Sequence, residues 1–249
     1  MRVAALYDIH GNLPALDAVL EELARPGVDV IVVGGDVLPG PLPGETLARL
    51  RQLDLPVRFI RGNGESAAIT LRSGGSIDHL PAPAREATRW VAGQLGADDA
   101  EFIAGWPMTC QLSIPPLGEV LFCHATPRNN TEIFTALTPE ERLAPIFGEL
   151  GVDLVVCGHT HIQFDRMIGP TRVVNAGSVG MPFGPPGADW LLLGPDVELR
   201  HTDYDLEAAA DRVRATGYPN AADLADRYLL HPPTAAEMLA TLGKAELKG

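Results

Sequence analysis

Within "RVAALYDIHGNLPAL" (residues 2–16) the chain changes its period. Residues 2–7 read as a strand, because apolar side chains occupy consecutive positions, as in a sheet buried on both faces. Asp8-Ile9-His10-Gly11 breaks that run. From there Leu13, Leu16, Val19, Leu20 and Leu23 fall on one face of a helix. Asn12 is placed to cap this helix and Pro14 fits its first turn, with Pro26-Gly27 ending it. A buried strand, a polar turn and an amphipathic helix make the repeating unit of an α/β protein.

The unit recurs along the chain. "VIVV" (30–33) precedes a helix near 45–52, and "VRFI" (57–60) follows it. Later come "EVLFC" (119–123), a helix near 139–150, "DLVVC" (153–157), "TRVVN" (171–175) and "WLLL" (190–193). "MIGPTRV" (167–173) and "LGPDVEL" (193–199) read as hairpins, since Gly-Pro breaks two β-like runs in each. Hairpins beside crossover helices predict a sheet of mixed strand direction. Residues 65–118 interrupt the rhythm with helix-like and Pro-rich pieces and read as an insertion over one sheet edge. Residues 205–243 read as C-terminal helices. With no repeat and no linker composition, residues 1–249 form one domain.

Composition narrows the function. The 249 residues are 46% hydrophobic with a formal net charge of −13, which argues against a long nucleic-acid footprint. No apolar run approaches the roughly 18 residues of a membrane span, and the first residues carry no leader pattern. Three cysteines without framework spacing (Cys110, Cys123 and Cys157) predict reduced, mostly buried thiols and a cytoplasmic protein. The pattern assigns no oligomeric state.

Five strand-like runs end in metal-ligand chemistry. They supply Asp8 and His10; Asp36 in "VVGGDV"; Asn63 in "IRGNGE"; His124 in "LFCHAT"; and His159 and His161 in "VVCGHTH". Each alone is equally a cap, a turn residue or a buried histidine. Together they are two Asp, one Asn and four of the chain's seven His, an N/O set suited to divalent ions. In α/β sheets such groups gather where the strands end.

The order D-x-H, G-D, G-N, H, G-H-x-H resembles the calcineurin-like metallophosphoesterase superfamily. "DIHGNLPAL", "GGDVLPGP", "RGNGE" and "NAGSVGMP" are similar to its small bacterial phosphodiesterase-like branch, over residues 3 to about 184. The resemblance implies a sandwich of mixed β-sheets flanked by helices and a binuclear metal centre. Asp8, His10 and His161 would hold one ion, Asn63, His124 and His159 the other, and Asp36 would bridge them. Asn63 and His124 would also position phosphate through the metal site. Two metals about 3.5–4 Å apart support in-line attack by a bridging hydroxide. The implied cofactor is a pair of divalent ions, Mn²⁺ favoured over Fe²⁺, Co²⁺, Ni²⁺ or Zn²⁺. The implied partner is a small phosphate ester. Asn12, Arg128 and Ser178 are candidate phosphate contacts, each with a local structural role as the competing reading. His79 reads first as a surface residue and second as a wall of the cleft.

One position departs from the family. Its commoner text is G-N-H-[DE], with the histidine proposed to protonate the leaving oxygen, whereas this chain has Gly64 there. Losing a positioned acid costs about 10²–10⁴-fold where the leaving group needs a proton. A diesterase is therefore favoured over an alkyl monoesterase. The alternative is a non-catalytic metal-binding scaffold of the same fold, on the pattern of a retromer subunit, against which the full ligand set argues. A repair-type nuclease lacks its histidine and basic groove here. A dinucleotide-binding fold lacks its glycine pattern.

Overall fold

The computed structural model describes residues 1–25 and 27–247, so Pro26 lies outside the described residues. β1 (Val3–Leu6) is buried at every position, and α1 (Leu13–Leu23) follows it. Asn12 caps α1 as expected, its Oδ1 accepting the Ala15 N–H at 3.2 Å. β2 (Val30–Val33), α2 (Pro43–Arg51) and β3 (Val57–Phe59) continue the crossover pattern, and β1, β2 and β3 run parallel. α3 (Asn63–Arg72), α4 (Ala82–Gln94) and α5 (Ala97–Ala104) come next.

A second sheet then forms from β4 (Thr109–Ile114), β5 (Gly118–Cys123), β6 (Leu154–Cys157), β7 (Phe164–Ile168) and β8 (Thr171–Asn175), with α6 (Glu140–Phe147) between β5 and β6. Its order is β4-β5-β6-β8-β7, with β5, β6 and β8 parallel. β9 (Ala188–Leu193) and β10 (Val197–Thr202) return to complete the first sheet as β10-β9-β1-β2-β3. Both sequence-read hairpins are present, pairing Ile168 with Thr171 and Leu193 with Val197.

The two faces of β1 explain the layers. Val3, Ala5 and Tyr7 point between the sheets, against Phe122, Val156 and Val174 of the second. Ala4 and Leu6 point the other way, onto Leu16 and Val19 of α1. α6 covers the far face of the second sheet, with Leu143, Ile146 and Phe147 against Val155 and Val173. The chain is thus an α/β single domain, a sandwich of two mixed sheets with helices outside. Each fully buried aliphatic side chain contributes about 1.5–3 kcal/mol relative to exposure. A strand lined on both faces is therefore held firmly enough to carry a site at its end.

Residues 65–118 do two different things. α3 to α5 gather at β3, an edge strand, where Phe59 stacks on Trp106 at 4.7 Å and meets Phe102 edge-on at 5.2 Å. The last part is β4, a strand not anticipated from the sequence, which pairs antiparallel with β5 and forms the edge of the second sheet. At the C-terminus, α7 (Leu206–Arg214), α8 (Ala221–Leu224) with its π-helical continuation Ala225–Leu230, and α9 (Ala235–Leu242) follow. α7 and the π turn share a small core of Ala209, Ala210, Val213, Ala225 and Leu229.

All three cysteines are unpaired, and Cys123 and Cys157 are buried. Burial pushes the Cys110 thiol up to about 11 and the other two further. They are packing residues rather than nucleophiles. Among the described residues no helix is long and apolar enough to cross a membrane.

Candidate metal centre

The parallel strands β1, β2, β3, β5 and β6 all deliver their final loops to one end of the sandwich. Beyond the strands the backbone ladder continues through these loops. Asp8 N–H donates to Gly35 O (3.0 Å), His10 N–H to Asp36 O (2.9 Å) and Gly158 N–H to His124 O (2.8 Å). Gly180 N–H donates to Asp8 O (3.0 Å), tying the loop after β8 to the loop after β1, so the two sheets are locked together at the site. Seven described non-glycine residues have positive φ. Five of these are Asp8, His10, Asp36, His159 and His161, at 48° to 68°. Such a conformation costs on the order of 1–3 kcal/mol and persists only where the surroundings enforce it, which is typical of functional sites.

Two groups of donors result. Asp8, His10 and His161 form one, Asp36, His124 and His159 the other, and within each the donor atoms lie within 4.8 Å of one another. Asn63 stands beside the second group, its Oδ1 3.0 Å from His124 Nε2. All seven residues expected as ligands are therefore gathered at one place.

The polar bookkeeping suits a cation. Asp8 is fully buried. Its Oδ2 accepts the His159 N–H at 2.8 Å, while its Oδ1 has no hydrogen-bond partner. That orphaned oxygen lies 3.3 Å from His161 Nε2 and 3.9 Å from Nε2 of both His10 and His124. Each of these rings spends its other nitrogen on a backbone carbonyl. His10 Nδ1–H donates to Pro39 O (3.0 Å), His161 Nδ1–H to Met181 O (2.8 Å) and His124 Nδ1–H to Gly34 O (3.0 Å). His159 likewise bonds the Thr131 backbone. With Nδ1 carrying the proton, Nε2 presents a lone pair, the arrangement by which metal-binding histidines are oriented. His10 Nε2 and His161 Nε2 face each other at 3.1 Å; burial lowers the His161 imidazole, but Asp8 outweighs it and raises the group, so without metal a proton on His161 Nε2 takes the place that a cation would fill.

Charge points the same way. Burial pushes His10 down to about 4. Burial, with His124 beside it, pushes His159 down to about 3, so both rings are neutral at neutral pH, as metal binding would require. Burial raises the Asp36 carboxyl and the nearby Asp8 raises it further. For Asp8, burial acts upward, but the surrounding His161, His124 and His10 outweigh it and hold the group low. Two buried carboxylates repelling each other is a configuration that divalent charge relieves.

Glu65 clamps the site. It is fully buried, and its carboxylate accepts three backbone N–H groups: Asp36 (2.9 Å) and Gly62 (2.8 Å) on Oε2, Leu38 (2.8 Å) on Oε1. Burial and the Asp36 charge push it up to about 7, against the pull of those N–H donors. The loops after β2 and β3 are thus joined through one side chain.

Gly64 has a steric reason as well. Its N–H donates to Asp36 Oδ1 at 2.7 Å, and a Cβ there would lie 1.9 Å from Leu38 O. No side chain fits at 64 on this backbone.

The three expected phosphate contacts are occupied elsewhere. Asn12 is buried, its amide nitrogen donating to Gly180 O (2.9 Å) and Tyr204 Oη (3.0 Å) while its oxygen caps α1. Ser178 Oγ donates to Asp8 O (2.7 Å) and accepts the Met181 N–H (2.8 Å). The Arg128 guanidinium pairs with Glu132. Asn12 and Ser178 hold the ligand loops in place, and Arg128 braces the loop after β5.

Residues 1–194 match the calcineurin-like phosphoesterase superfamily domain. The chain belongs to this superfamily. Over 209 residues it is 36% identical to phosphodiesterase YfcE of Escherichia coli, covering 79% of this chain and 89% of that protein. It superimposes on a metallophosphoesterase from Sphaerobacter thermophilus with a TM-score of 0.72 at 27% identity, over 91% and 97% of the two chains. A protein of Pyrococcus horikoshii shares the fold with a TM-score of 0.79 at 21% identity, over 94% and 99%. As a member of this superfamily with phosphodiesterase relatives, the chain is a hydrolase of phosphoester bonds that carries candidate divalent-metal ligands.

Proposed function

We propose that the chain is a binuclear metal-dependent phosphodiesterase acting on a small phosphate ester, with Mn²⁺ the favoured metal. The observation that carries this reading is the buried, unpartnered Asp8 Oδ1 facing three imidazole Nε2 atoms. Asp8, His10 and His161 would hold one cation, Asn63, His124 and His159 the other, and Asp36 would serve both. When bound, two such ions supply a nucleophilic water at neutral pH and neutralise phosphoryl oxygens in an in-line displacement.

The residues provide the rest. Two carboxylates balance only half of the charge of two divalent ions, so the loaded site attracts an anionic ester despite the net charge of −13. The carbonyl-bound imidazoles keep their orientation through turnover. Gly64 offers the leaving oxygen no proton, which favours esters whose leaving group departs as a stable anion. The unpaired cysteines support a reducing compartment, the cytoplasm.

Chelator-stripped protein reloaded with Mn²⁺ is expected to hydrolyse bis(p-nitrophenyl) phosphate faster than p-nitrophenyl phosphate. A substantially faster monoester rate would sink the diesterase reading, and metal uptake with neither activity would support the non-catalytic scaffold. Restoring the family's histidine is expected to fail. Gly64→His forces the backbone away from Leu38 O, at a cost of about 3 kcal/mol. That corresponds to a melting temperature lower by about 6–12 °C. A folded variant of undiminished stability that gains monoesterase activity would overturn the steric account.

A further inference from the structure

Asn63 stands between the donor set and a cavity. It opens α3, and Ser66, Ala67 and Thr70 follow at three, four and seven residues, spacings that share one helix face. With Asn63 they line one side of a cavity of about 450 Å³. Ile77, His79 and Leu80, from the segment between α3 and α4, and Thr131, from the loop after β5, complete it. The volume lies within the range of small-molecule sites, about 300–1,000 Å³.

The lining has a definite chemistry. It contains no Asp, Glu, Lys or Arg, and His79 is its one titratable side chain. Ala67, Ile77 and Leu80 give apolar surface, and the small side chains on the α3 face leave the room. Ser66 Oγ is already occupied by the Asn130 amide at 2.9 Å. The cavity also borders the candidate centre at two points. Asn63 belongs to both, and the Thr131 backbone carbonyl holds the His159 ring.

We infer that this cavity seats an ester arm of the substrate and selects a neutral, largely apolar arm of about aryl size. The inference rests on the phosphoesterase reading above and adds the substrate class. A charged arm placed against Ala67, Ile77 and Leu80 would lose its hydration without gaining a partner. An aryl arm instead buries its surface there while the phosphoryl group remains with Asn63 and the neighbouring donors. His79, exposed to solvent, contributes an imidazole to the lining.

Binding to Mn²⁺-loaded protein tests this by calorimetry, with inorganic phosphate, phenylphosphonate and 2-aminoethylphosphonate as probes. Phenylphosphonate is expected to bind at least about tenfold more tightly than phosphate, and 2-aminoethylphosphonate no more tightly than phosphate. Ala67→Phe, which fills the α3 wall, is expected to bring the phenylphosphonate-to-phosphate ratio toward one. Thr70→Trp makes the same test from an exposed position, where folding is not at stake. Equal affinity for phenylphosphonate and phosphate in the parent protein, or a ratio that survives both substitutions, overturns the inference. Failure of every probe to bind the loaded protein overturns the phosphoesterase reading itself, and this inference with it.

Discussion

Diester turnover by an Asp36→Asn protein is expected to fall about 10³-fold or further, while the metal-free variant melts no lower than its parent. The two effects have one cause. Asp36 lies in the second donor group, with Oδ1 3.6 Å from His124 Nε2, and the proposal makes it the carboxylate common to both ions. Charge stabilisation by a bound metal is worth several kcal/mol in the transition state, and each 1.36 kcal/mol is about tenfold in rate. Asparagine keeps the shape and keeps an oxygen for the Gly64 N–H, so the loop has no reason to move. What it removes is a buried negative charge beside Asp8, which destabilises the metal-free fold. Sites of this kind exchange stability for activity. Calorimetric melting of chelated proteins and steady-state rates of Mn²⁺-loaded ones check both halves. Activity within tenfold of the parent would remove Asp36 from the shared position.

Glu65→Ala is expected to be the most damaging single change to the fold. The substitution leaves the N–H groups of Asp36, Leu38 and Gly62 buried without acceptors, each costing about 1–3 kcal/mol. A side-chain-sized cavity adds to that. The sum is on the order of 5 kcal/mol or more, against a typical total of about 5–15 kcal/mol. A melting temperature lower by roughly 10–20 °C follows. Glu65→Gln retains one carbonyl oxygen and turns an amide N–H₂ toward a backbone donor, so its loss is intermediate. Because metal binds the folded state, excess Mn²⁺ is expected to recover part of the loss in both variants. A loss below about 1 kcal/mol for Glu65→Ala by urea unfolding would show that the loops hold together without this clamp.

The strand ends were legible because each apolar run stops abruptly at a polar residue, in four of the five with a glycine adjoining a ligand candidate, His124 being the exception. Such punctuation survives in sequence whatever the tertiary context. β4 was not legible: "TCQLSI" alternates over an edge strand whose burial is partial, and Pro115-Pro116 directly after it reads as loop. The positive φ of Asp8, His10, Asp36, His159 and His161 leaves no local trace, since these residue types carry no backbone signature as glycine does. Of the three N–H groups that Glu65 holds, only that of Gly62 is near it in sequence. Its other two donors come from residues 27 and 29 positions earlier, which only the folded loops bring near. Gly64 read as a missing side chain, and the space it would need is filled by Leu38 O. Arg128, Asn12 and Ser178 sit beside ligand motifs in sequence, but their polar atoms are spent on the loops that hold those ligands.

Metal stoichiometry tests the central claim most directly. Protein stripped with chelator, dialysed to equilibrium against Mn²⁺ and analysed for bound metal is expected to hold two ions per chain. Removing one ligand from each donor group separately, His10→Ala and His159→Ala, is expected to leave close to one. A parent protein that binds a single ion, or none, contradicts the binuclear centre on which the proposed activity rests.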